Sequence, residues 1–286
     1  MNSLNITNLN SKYISALYLI SSPIGNIQDI TFRAIEILEL SDYIYCENPI
    51  ITLKLLNHYR IKKKLFKYFD HSNENVRNKI LNHLNDGKIV SYISDCGTPT
   101  ISDPGYKLVN FIRRNNHNVF SIPGPCSAIS ALSVSGLATD KFYFFGFTAR
   151  TEGKRLEDLK KAKNIYGSII FFESPQRIIK FLNDAKLIFQ ENDFVIIKEV
   201  TKKFEKYRKF NFANFDSAQL DFEIKGEFII IIENKTQENS NLDDVKKFLN
   251  IAQSEISNKS AVNLAKKLFQ LPKKDIYKMV LDKNHE

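Results

Sequence analysis

The sequence predicts an α/β protein with a mostly parallel sheet wrapped by helices. Short apolar runs rich in β-branched and aromatic residues alternate with helical patterns along most of the chain, and several of these runs end abruptly in a loop that contains proline or glycine. This alternation is typical of sheets built from repeated strand–helix–strand units. The chain has 286 residues, which is enough for about two domains with apolar cores of their own.

The first half of the chain contains four predicted strands and four predicted helices. The strands are expected in residues 17–20, 43–46, 89–93 and 119–122. Helices are expected in residues 31–40, 52–59 and 73–86. A further helix is predicted to begin with Asp103 as its N-cap and Pro104 as its first residue, because Leu108 and Ile112 follow at helical spacing.

A second, similar unit begins near residue 140. Strands are predicted in residues 142–147, 168–172, 194–197 and 228–232, and helices in residues 151–164 and 175–189. Residues 201–226 alternate charged and aromatic side chains, which favours an antiparallel arm. The predicted organisation is a disordered extension (1–15), two α/β domains (16–125 and 126–235) and a basic helical appendage (241–286) with helices in residues 242–251, 260–268 and 273–280.

The loop in residues 94–105 is the strongest candidate for a binding site. It follows a predicted buried strand, and in open α/β sheets ligands bind at the carboxyl ends of strands. Two prolines and two glycines give it a restricted path that leaves backbone N–H groups and the hydroxyls of Ser94, Thr98 and Ser102 exposed to a polar ligand. By its composition alone, an ordinary turn between a strand and a helix is an equal alternative.

Composition narrows the class of protein. No run of ~18 apolar residues is present and the first 15 residues lack the apolar run of a signal peptide, so we expect a cytoplasmic protein without a membrane segment. The three cysteines form no CxxC pair, which argues against a disulfide framework and a metal site.

The net charge of +9 is clustered in residues 60–67, 201–209 and the C-terminal tail, which favours a polyanionic partner such as RNA. Solvation of helix faces is the alternative.

Eight ordered segments resemble the bacterial 16S rRNA (cytidine-2′-O)-methyltransferase family, within the tetrapyrrole methylase superfamily of S-adenosylmethionine enzymes. They are SSPIGNIQDIT (21–31), SDCGTPTISDPG (94–105), SIPGPCSA (121–128), SGLATDKFYFFGF (135–147), FFESPQR (171–177), KEVTKKFE (198–205), KGEFIIIIE (225–233) and NKSAVNLAKKLFQLPKKDIY (258–277). One segment departs from the resemblance: the family usually has AEDTR where this chain has Cys46, Glu47, Asn48, Pro49 and Ile50.

The resemblance implies a two-domain methylase that forms a homodimer, with S-adenosylmethionine in a cleft between the domains. By match to the cofactor-binding loops of the superfamily, Asp95, Gly97 and Thr98 would contact the cofactor from the first domain. Ser127 and Ala128 would contact it from the loop after the PGP turn. Phe172 would do so from the second domain.

Catalysis and RNA binding are expected at other positions. Glu47 and Glu173 are predicted to line the acceptor site, with no general base assigned. The predicted phosphate contacts are Arg177, Lys198, Lys202 and Lys203. The residues leave alternatives open, since Glu173 and Arg177 fit a structural ion pair equally well, and lysines in 201–209 also protect strand edges.

The predicted activity is 2′-O-methylation of a cytidine ribose in 16S rRNA of the small ribosomal subunit. Two other functions remain open at this point. One is methylation of a tetrapyrrole precursor, which the same architecture allows. The other is a ribosome-binding relative in which the departure at residues 46–50 has impaired catalysis.

Overall fold

The computed structural model describes residues 13–70, 74–235, 238–269, 271–274 and 276–277. They divide into two compact units. The first contains the described residues up to Ser135 together with Ile197–Tyr207 and Gly226–Ile229; the second contains the rest. The sequence predicted a boundary after residue 125, whereas the contacts divide the chain after Ser135 and return two later segments to the first unit. Most of the predicted extension, residues 1–12, lies outside the described residues.

The first sheet is parallel, as predicted. Its five strands are β1 (Ala16–Ile20), β2 (Tyr43–Cys46), β3 (Leu65–Lys67), β4 (Ile89–Ile93) and β5 (Val119–Ile122), in the order β3-β2-β4-β1-β5. Each neighbouring pair is parallel. The loops after β1, β4 and β5 therefore leave the same edge of the sheet, because these three strands are adjacent and run in one direction.

Helices cover both faces of this sheet. They are α1 (Phe32–Leu40), α2 (Pro49–His58), α3 (Glu74–Asn85), α4 (Tyr106–Arg114) and α5 (Ser127–Val134). Tyr18 and Ile20 of β1 pack with α1 and α2 in one apolar cluster, whereas Leu17 packs with α3 and α4 in another. Alternate residues of a strand point to opposite faces, so the two clusters lie on the two sides of the sheet.

The predicted start of α4 is wrong. The helix begins at Tyr106, and its N-cap position is Gly105, which has a φ of 124° and provides no side-chain cap. The Pro104 carbonyl instead accepts hydrogen bonds from the Tyr92 hydroxyl (3.2 Å) and the Thr100 N–H (3.3 Å), which keeps it outside the helix. Asp103 is therefore not the N-cap, and its carboxyl does not cap the helix.

The second sheet also has five strands. They are β6 (Phe142–Phe147), β7 (Gly167–Glu173), β8 (Asp193–Lys198), β9 (Lys206–Asn211) and β10 (Phe228–Asn234), in the order β6-β7-β10-β8-β9. β6 and β7 are parallel. Helices α6 (Glu152–Lys163) and α7 (Ile178–Phe189) pack beside it, and Phe171, Phe181 and Phe194 are fully buried in its core.

The C-terminal region is helical, as predicted. Helices α8 (Glu238–Glu255) and α9 (Asn258–Phe269) bury Val245, Leu249 and Val262 in a cluster that also includes Ile276. Part of the predicted third helix, in residues 273–280, falls outside the described residues. Within the described part of the chain, no helix combines the length and the hydrophobicity that crossing a membrane requires.

Candidate functional site

The loops after β1 and β4 are locked together at Ser22 and Gly97. The Ser22 N–H donates to the Gly97 carbonyl at 2.9 Å, and the Gly97 N–H donates to the Ser22 carbonyl at 3.2 Å. The Ser94 hydroxyl also donates to the Gly97 carbonyl, at 2.8 Å. Gly97 has a φ of +86°, which disfavours any side chain there, and an added Cβ would lie 3.3 Å from Ile24. This part of the candidate site is therefore rigid.

Thr98 links these loops to the third loop, which follows β5. The Ser21 hydroxyl donates to Thr98 Oγ1 at 3.2 Å, and Thr98 Oγ1 donates to the Pro125 carbonyl at 3.2 Å. Gly124 lies so close that an added Cβ would be 2.9 Å from Ser21 Cβ. The residues predicted to bind the cofactor from the first domain thus stand on one interlocked set of loops.

Ser127 and Ala128 are the first residues of α5. Ala128 is buried and Ser127 is half-buried, and Cys126, at the N-cap, makes no side-chain hydrogen bond to the helix. The N–H groups of the first turn of a helix have no partner within the helix, and they favour anionic groups. The sequence prediction treated this segment as a loop, although Ala128, Ala131 and Leu132 have the spacing of one buried helix face.

A group of carboxylates surrounds a cavity of about 700 Å³ in the first unit. The cavity is lined by Glu47, Asn48, Lys67, Phe69, Asp70, Asp95, Ser102, Asp103 and Pro104. Asp95 Oδ1 accepts a hydrogen bond from the Asn48 N–H at 3.0 Å, and Asp70 Oδ1 accepts one from the Gly105 N–H at 2.9 Å. Backbone groups therefore hold two of the four carboxylates in place.

The electrostatics of this cavity single out Asp103. Burial raises the pKa of its carboxyl to about 7, with a further contribution from the negative charges of Glu47 and Asp95. Burial also raises the pKa of Glu47 and of Asp95, and the charge of Asp95 adds to the effect at Glu47. A carboxyl with a pKa near 7 can take up or release a proton at physiological pH. The sequence prediction assigned Asp103 to a helix cap and therefore missed it.

Residues 46–50, which depart from the family pattern, contain a regular helix N-terminus. Asn48 is the N-cap of α2, its side chain accepts a hydrogen bond from the Ile50 N–H at 3.1 Å, and Pro49 is the first helical residue. Both residue types are favoured at these positions. Glu47 keeps its place beside Asp95, so the substitution leaves the local backbone ordered and the acidic cavity intact.

The buried Glu173 and the partly exposed Arg177 form an ion pair in the second unit. Arg177 Nε lies 3.1 Å from Glu173 Oε1, and Arg177 Nη2 donates to the carbonyl oxygens of Thr148 and Ala149 at 2.8 and 3.0 Å. Glu173 is 2% exposed; burial raises its pKa, and the Arg177 charge opposes that rise. These contacts give the pair a structural role. The predicted catalytic role of Glu173 and the predicted RNA contact of Arg177 stay predictions.

Phe172 precedes Glu173 in β7 and is half-buried. Its ring centroid lies 4.9 Å from that of Phe144.

The three predicted RNA-binding lysines have different surroundings. Lys198 is buried at 8% exposure. Lys202 Nζ lies 3.0 Å from carboxylate oxygens of both Glu199 and Glu227, which raises its pKa against the opposing effect of burial. Lys203 is exposed. Of the three, Lys203 is the one whose ammonium group stands in solvent. Among the described residues, no cluster of histidine, cysteine, aspartate and glutamate has the arrangement of a metal site.

A sequence profile of the family described as Tetrapyrrole (Corrin/Porphyrin) Methylases matches residues 16–216. A Rickettsia prowazekii protein named Ribosomal RNA small subunit methyltransferase I is 37% identical over 269 residues, which cover 93% of this chain and 96% of that protein. The chain belongs to this methyltransferase family. The resemblance inferred from the eight sequence segments is therefore confirmed.

Solved structures of two other methyltransferases share the fold. The cobalt precorrin-4 methyltransferase of cobalamin biosynthesis matches with a TM-score of 0.57 at 18% identity, over 77% of this chain and 95% of that one. A uroporphyrin-III C-methyltransferase from Thermus thermophilus, complexed with S-adenyl homocysteine, matches with a TM-score of 0.52 at 16% identity, over 76% and 97%. The predicted two-domain tetrapyrrole-methylase-like α/β fold is thereby confirmed.

Proposed function

We propose that the protein transfers the methyl group of S-adenosylmethionine to the 2′-hydroxyl of a cytidine ribose in 16S rRNA of the small ribosomal subunit. The observation that carries the proposal is the match to a ribosomal RNA small subunit methyltransferase over 93% of the chain. The interlocked loops of the first unit support it, because they lie in segments on which the resemblance rests, and so does the part of the acidic cavity that residues 94–105 form. Methyl transfer to a hydroxyl requires little more than two aligned substrates and a proton acceptor.

The chain offers suitable groups for the cofactor. The N–H groups of Ser127 and Ala128 in the first turn of α5 have no partner within the helix and suit its carboxylate, and Asp95 suits its ammonium or ribose hydroxyls. Gly97 and Thr98 fix the backbone beside Asp95, and the contact of Phe172 with the cofactor stays a prediction from the resemblance. When bound, S-adenosylmethionine supplies a methyl group activated by its sulfonium. That the related uroporphyrin-III C-methyltransferase is complexed with S-adenyl homocysteine supports this choice.

Asp103 is proposed as the proton acceptor of the reaction. A ribose hydroxyl becomes a better nucleophile when its proton is taken up during methyl transfer, and a carboxylate with a pKa near 7 is suited to that task. Glu47 borders the same cavity and keeps the Asp103 pKa high through its charge. The two carboxylates thus have separate proposed roles, with Asp103 accepting the proton and Glu47 lining the acceptor site.

The edge of the first sheet is the proposed surface for the RNA backbone. β3 is an edge strand, and Lys62, Lys64 and Lys67 stand exposed along its segment, with Lys79 of α3 beside them. The ammonium groups of Lys64 and Lys79 lie 5.4 and 5.3 Å from the centre of the Phe66 ring. Within the described residues, no carboxylate lies within ion-pair distance of these four lysines. Lys67 also lines the acidic cavity, so the basic edge leads to the candidate site.

We also propose that the protein acts as a homodimer in the cytoplasm. β6 is an edge strand of the second sheet, and Phe142, Tyr143 and Phe147 are 47, 49 and 55% exposed. Exposed aromatic clusters of this kind are typical of interaction surfaces. Light scattering of the purified protein should give twice the mass of the chain, and Phe147→Glu should lower it to that of a monomer.

The test of the function uses small ribosomal subunits from cells that lack this methylation. The protein is incubated with these subunits and labelled S-adenosylmethionine, and the label is located on the RNA. Label on one cytidine ribose supports the proposal. Cofactor binding without label would favour the impaired relative instead, and turnover restored by Asn48→Asp, Pro49→Thr and Ile50→Arg together would establish it. Label on a uroporphyrinoid but not on RNA would favour the tetrapyrrole methylase.

A further inference from the structure

A second, smaller cavity of the first unit contains the buried hydroxyls of Ser22 and Thr52. The cavity measures about 220 Å³ and is lined by Ser22, Pro23, Gly25, Ile27, Ile51, Thr52, Lys54, Leu55, Ile93, Ser94 and Asp95. Ser22 and Thr52 are each 2% exposed. The Ser22 hydroxyl makes no hydrogen bond within the described part of the chain, whereas the Thr52 hydroxyl is close enough to the Cys46 thiol to lower the pKa of that thiol. A buried hydroxyl without a partner costs about 1–3 kcal/mol, so a group that bonds to the Ser22 hydroxyl would be held firmly.

The walls of this cavity are apolar and come from rigid elements. Pro23 and Ile27 belong to the loop after β1, which Gly97 locks in place, and Ile51 and Leu55 belong to α2. Hydroxyls both donate and accept hydrogen bonds, and the free oxygen of the Asp95 carboxylate accepts them. An apolar slot with such a polar end matches a flat heterocycle that carries hydrogen-bonding groups on one edge.

The cavity lies beside the proposed catalytic groups. Asp95 lines both this cavity and the larger acidic one that contains Glu47 and Asp103. The two cavities therefore adjoin at Asp95. Lys54, which is exposed, stands at the same cavity and suits the neighbouring phosphate.

We propose that the cavity between the β1 loop and α2 binds the cytosine base of the acceptor nucleotide after that nucleotide has left its stack. Ser22 and Thr52 bond to the edge of the base, and Asp95 accepts a hydrogen bond from its amino group, which a uracil lacks. Ile51 and Leu55 pack against its faces. This inference rests on the proposed function, since it assigns the base-recognition part of the same site.

The test compares two tryptophan substitutions on neighbouring residues of α2. Ile51 lines the cavity and is 43% exposed, whereas Ile50 is 69% exposed and is not part of the lining. Ile51→Trp should fill the slot and lower kcat/KM for the small subunit at least about 100-fold, while Ile50→Trp should stay within about threefold of the wild type. Ser22→Ala should raise the KM for the subunit about 3- to 10-fold with little change in kcat, which corresponds to one lost hydrogen bond. A subunit with uridine at the target position should be methylated at least about tenfold more slowly by the wild type.

A binding measurement separates this inference from the proposed reaction. Binding of cytidine, uridine and adenosine monophosphates to the wild type and to both tryptophan variants is followed by NMR saturation transfer, with and without S-adenosylhomocysteine. Cytidine monophosphate should bind in preference to the other two, and Ile51→Trp should abolish the signal while Ile50→Trp keeps it. If this pattern appears in a protein that methylates no RNA, the cavity is a cytosine-binding pocket and the proposed function is wrong. Displacement of the nucleotide by S-adenosylhomocysteine, or equal binding to both variants, would show that the cavity does not bind the cytosine base.

Discussion

The raised pKa of Asp103 leads to the most specific prediction about the reaction. Its carboxyl titrates at about 7, against an ordinary value of 3.8, because it is buried near the charges of Glu47 and Asp95. If its ionised form accepts the proton, the rate of methyl transfer follows the ionised fraction, which is about one half at pH 7 and about one tenth at pH 6. The wild-type rate should therefore fall about tenfold for each pH unit below 6 and level off above pH 8.

Asp103→Asn removes this titration. We expect kcat at pH 8 to fall by a factor of about 10² to 10⁴, and the inflection near pH 7 to disappear from whatever activity remains. Glu47→Gln should move the inflection of its residual activity to lower pH, because Glu47 contributes the largest charge effect on Asp103. The assay is single-turnover methylation of small subunits from pH 5 to 9, with cofactor binding measured at each pH. Asp140→Asn, an exposed position, is the matched control.

The same titration predicts a change in stability with a definite sign. Because the folded-state pKa lies above the unfolded value, the wild type loses stability as pH rises from about 4 to about 7. Asp103→Asn removes that loss, so the melting temperature of the variant relative to the wild type should be higher at pH 8 than at pH 4. The reasoning would be refuted by an Asp103→Asn enzyme that keeps the inflection near pH 7 and stays within twofold of the wild-type rate at pH 8.

Three further predictions concern the loops, the ion pair and the basic edge. Gly124→Ala places a Cβ 2.9 Å from Ser21 and should lower the free energy of unfolding by about 1–3 kcal/mol in urea titrations, with weaker cofactor binding; Gly153→Ala, which meets nothing within 4 Å, should cause neither effect. Arg177→Ala leaves the buried Glu173 carboxylate unpaired and should cost about 3 kcal/mol, partly recovered by adding Glu173→Gln, and an unchanged melting temperature would contradict the structural role. Replacing Lys64 and Lys79 by alanine should reduce the dependence of log Kd for RNA on log salt concentration by about 1–2, whereas an unchanged slope would exclude this edge as the RNA surface.

Much of the fold was accessible from the sequence because it depends on local patterns. Apolar β-branched runs such as residues 89–93 and 228–232 coincide with β4 and with most of β10, since a strand buried on both faces needs apolar residues nearly throughout. Two elements were missed for identifiable reasons. β3 contains only three residues inside a basic run, and its lysines concealed the strand. The serines of α5 resemble loop residues, although its buried positions keep helical spacing.

Only part of the candidate site could be predicted from the sequence. Asp95, Gly97 and Thr98 lie in one continuous segment, so their proximity follows from the chain itself. Asp103 lies in the same segment, yet its raised pKa depends on burial that no local pattern reports and on the charge of Glu47, which is distant in sequence. Ser22 and Thr52 are also far apart along the chain, and their hydroxyls line one cavity only because α2 packs near the loop after β1.

The sequence by itself determined the α/β class and the order of most elements, because both depend on spacing or composition within short segments. The resemblance of eight segments indicated the methyltransferase family and the loops of the candidate site. The tertiary structure decided that Gly105, and not Asp103, precedes α4, that three loops interlock through Ser22, Gly97 and Thr98, and that carboxylates from separate segments share one cavity. These properties depend on burial and on the field of neighbouring charges. Both are set by the packing of residues far apart in the chain.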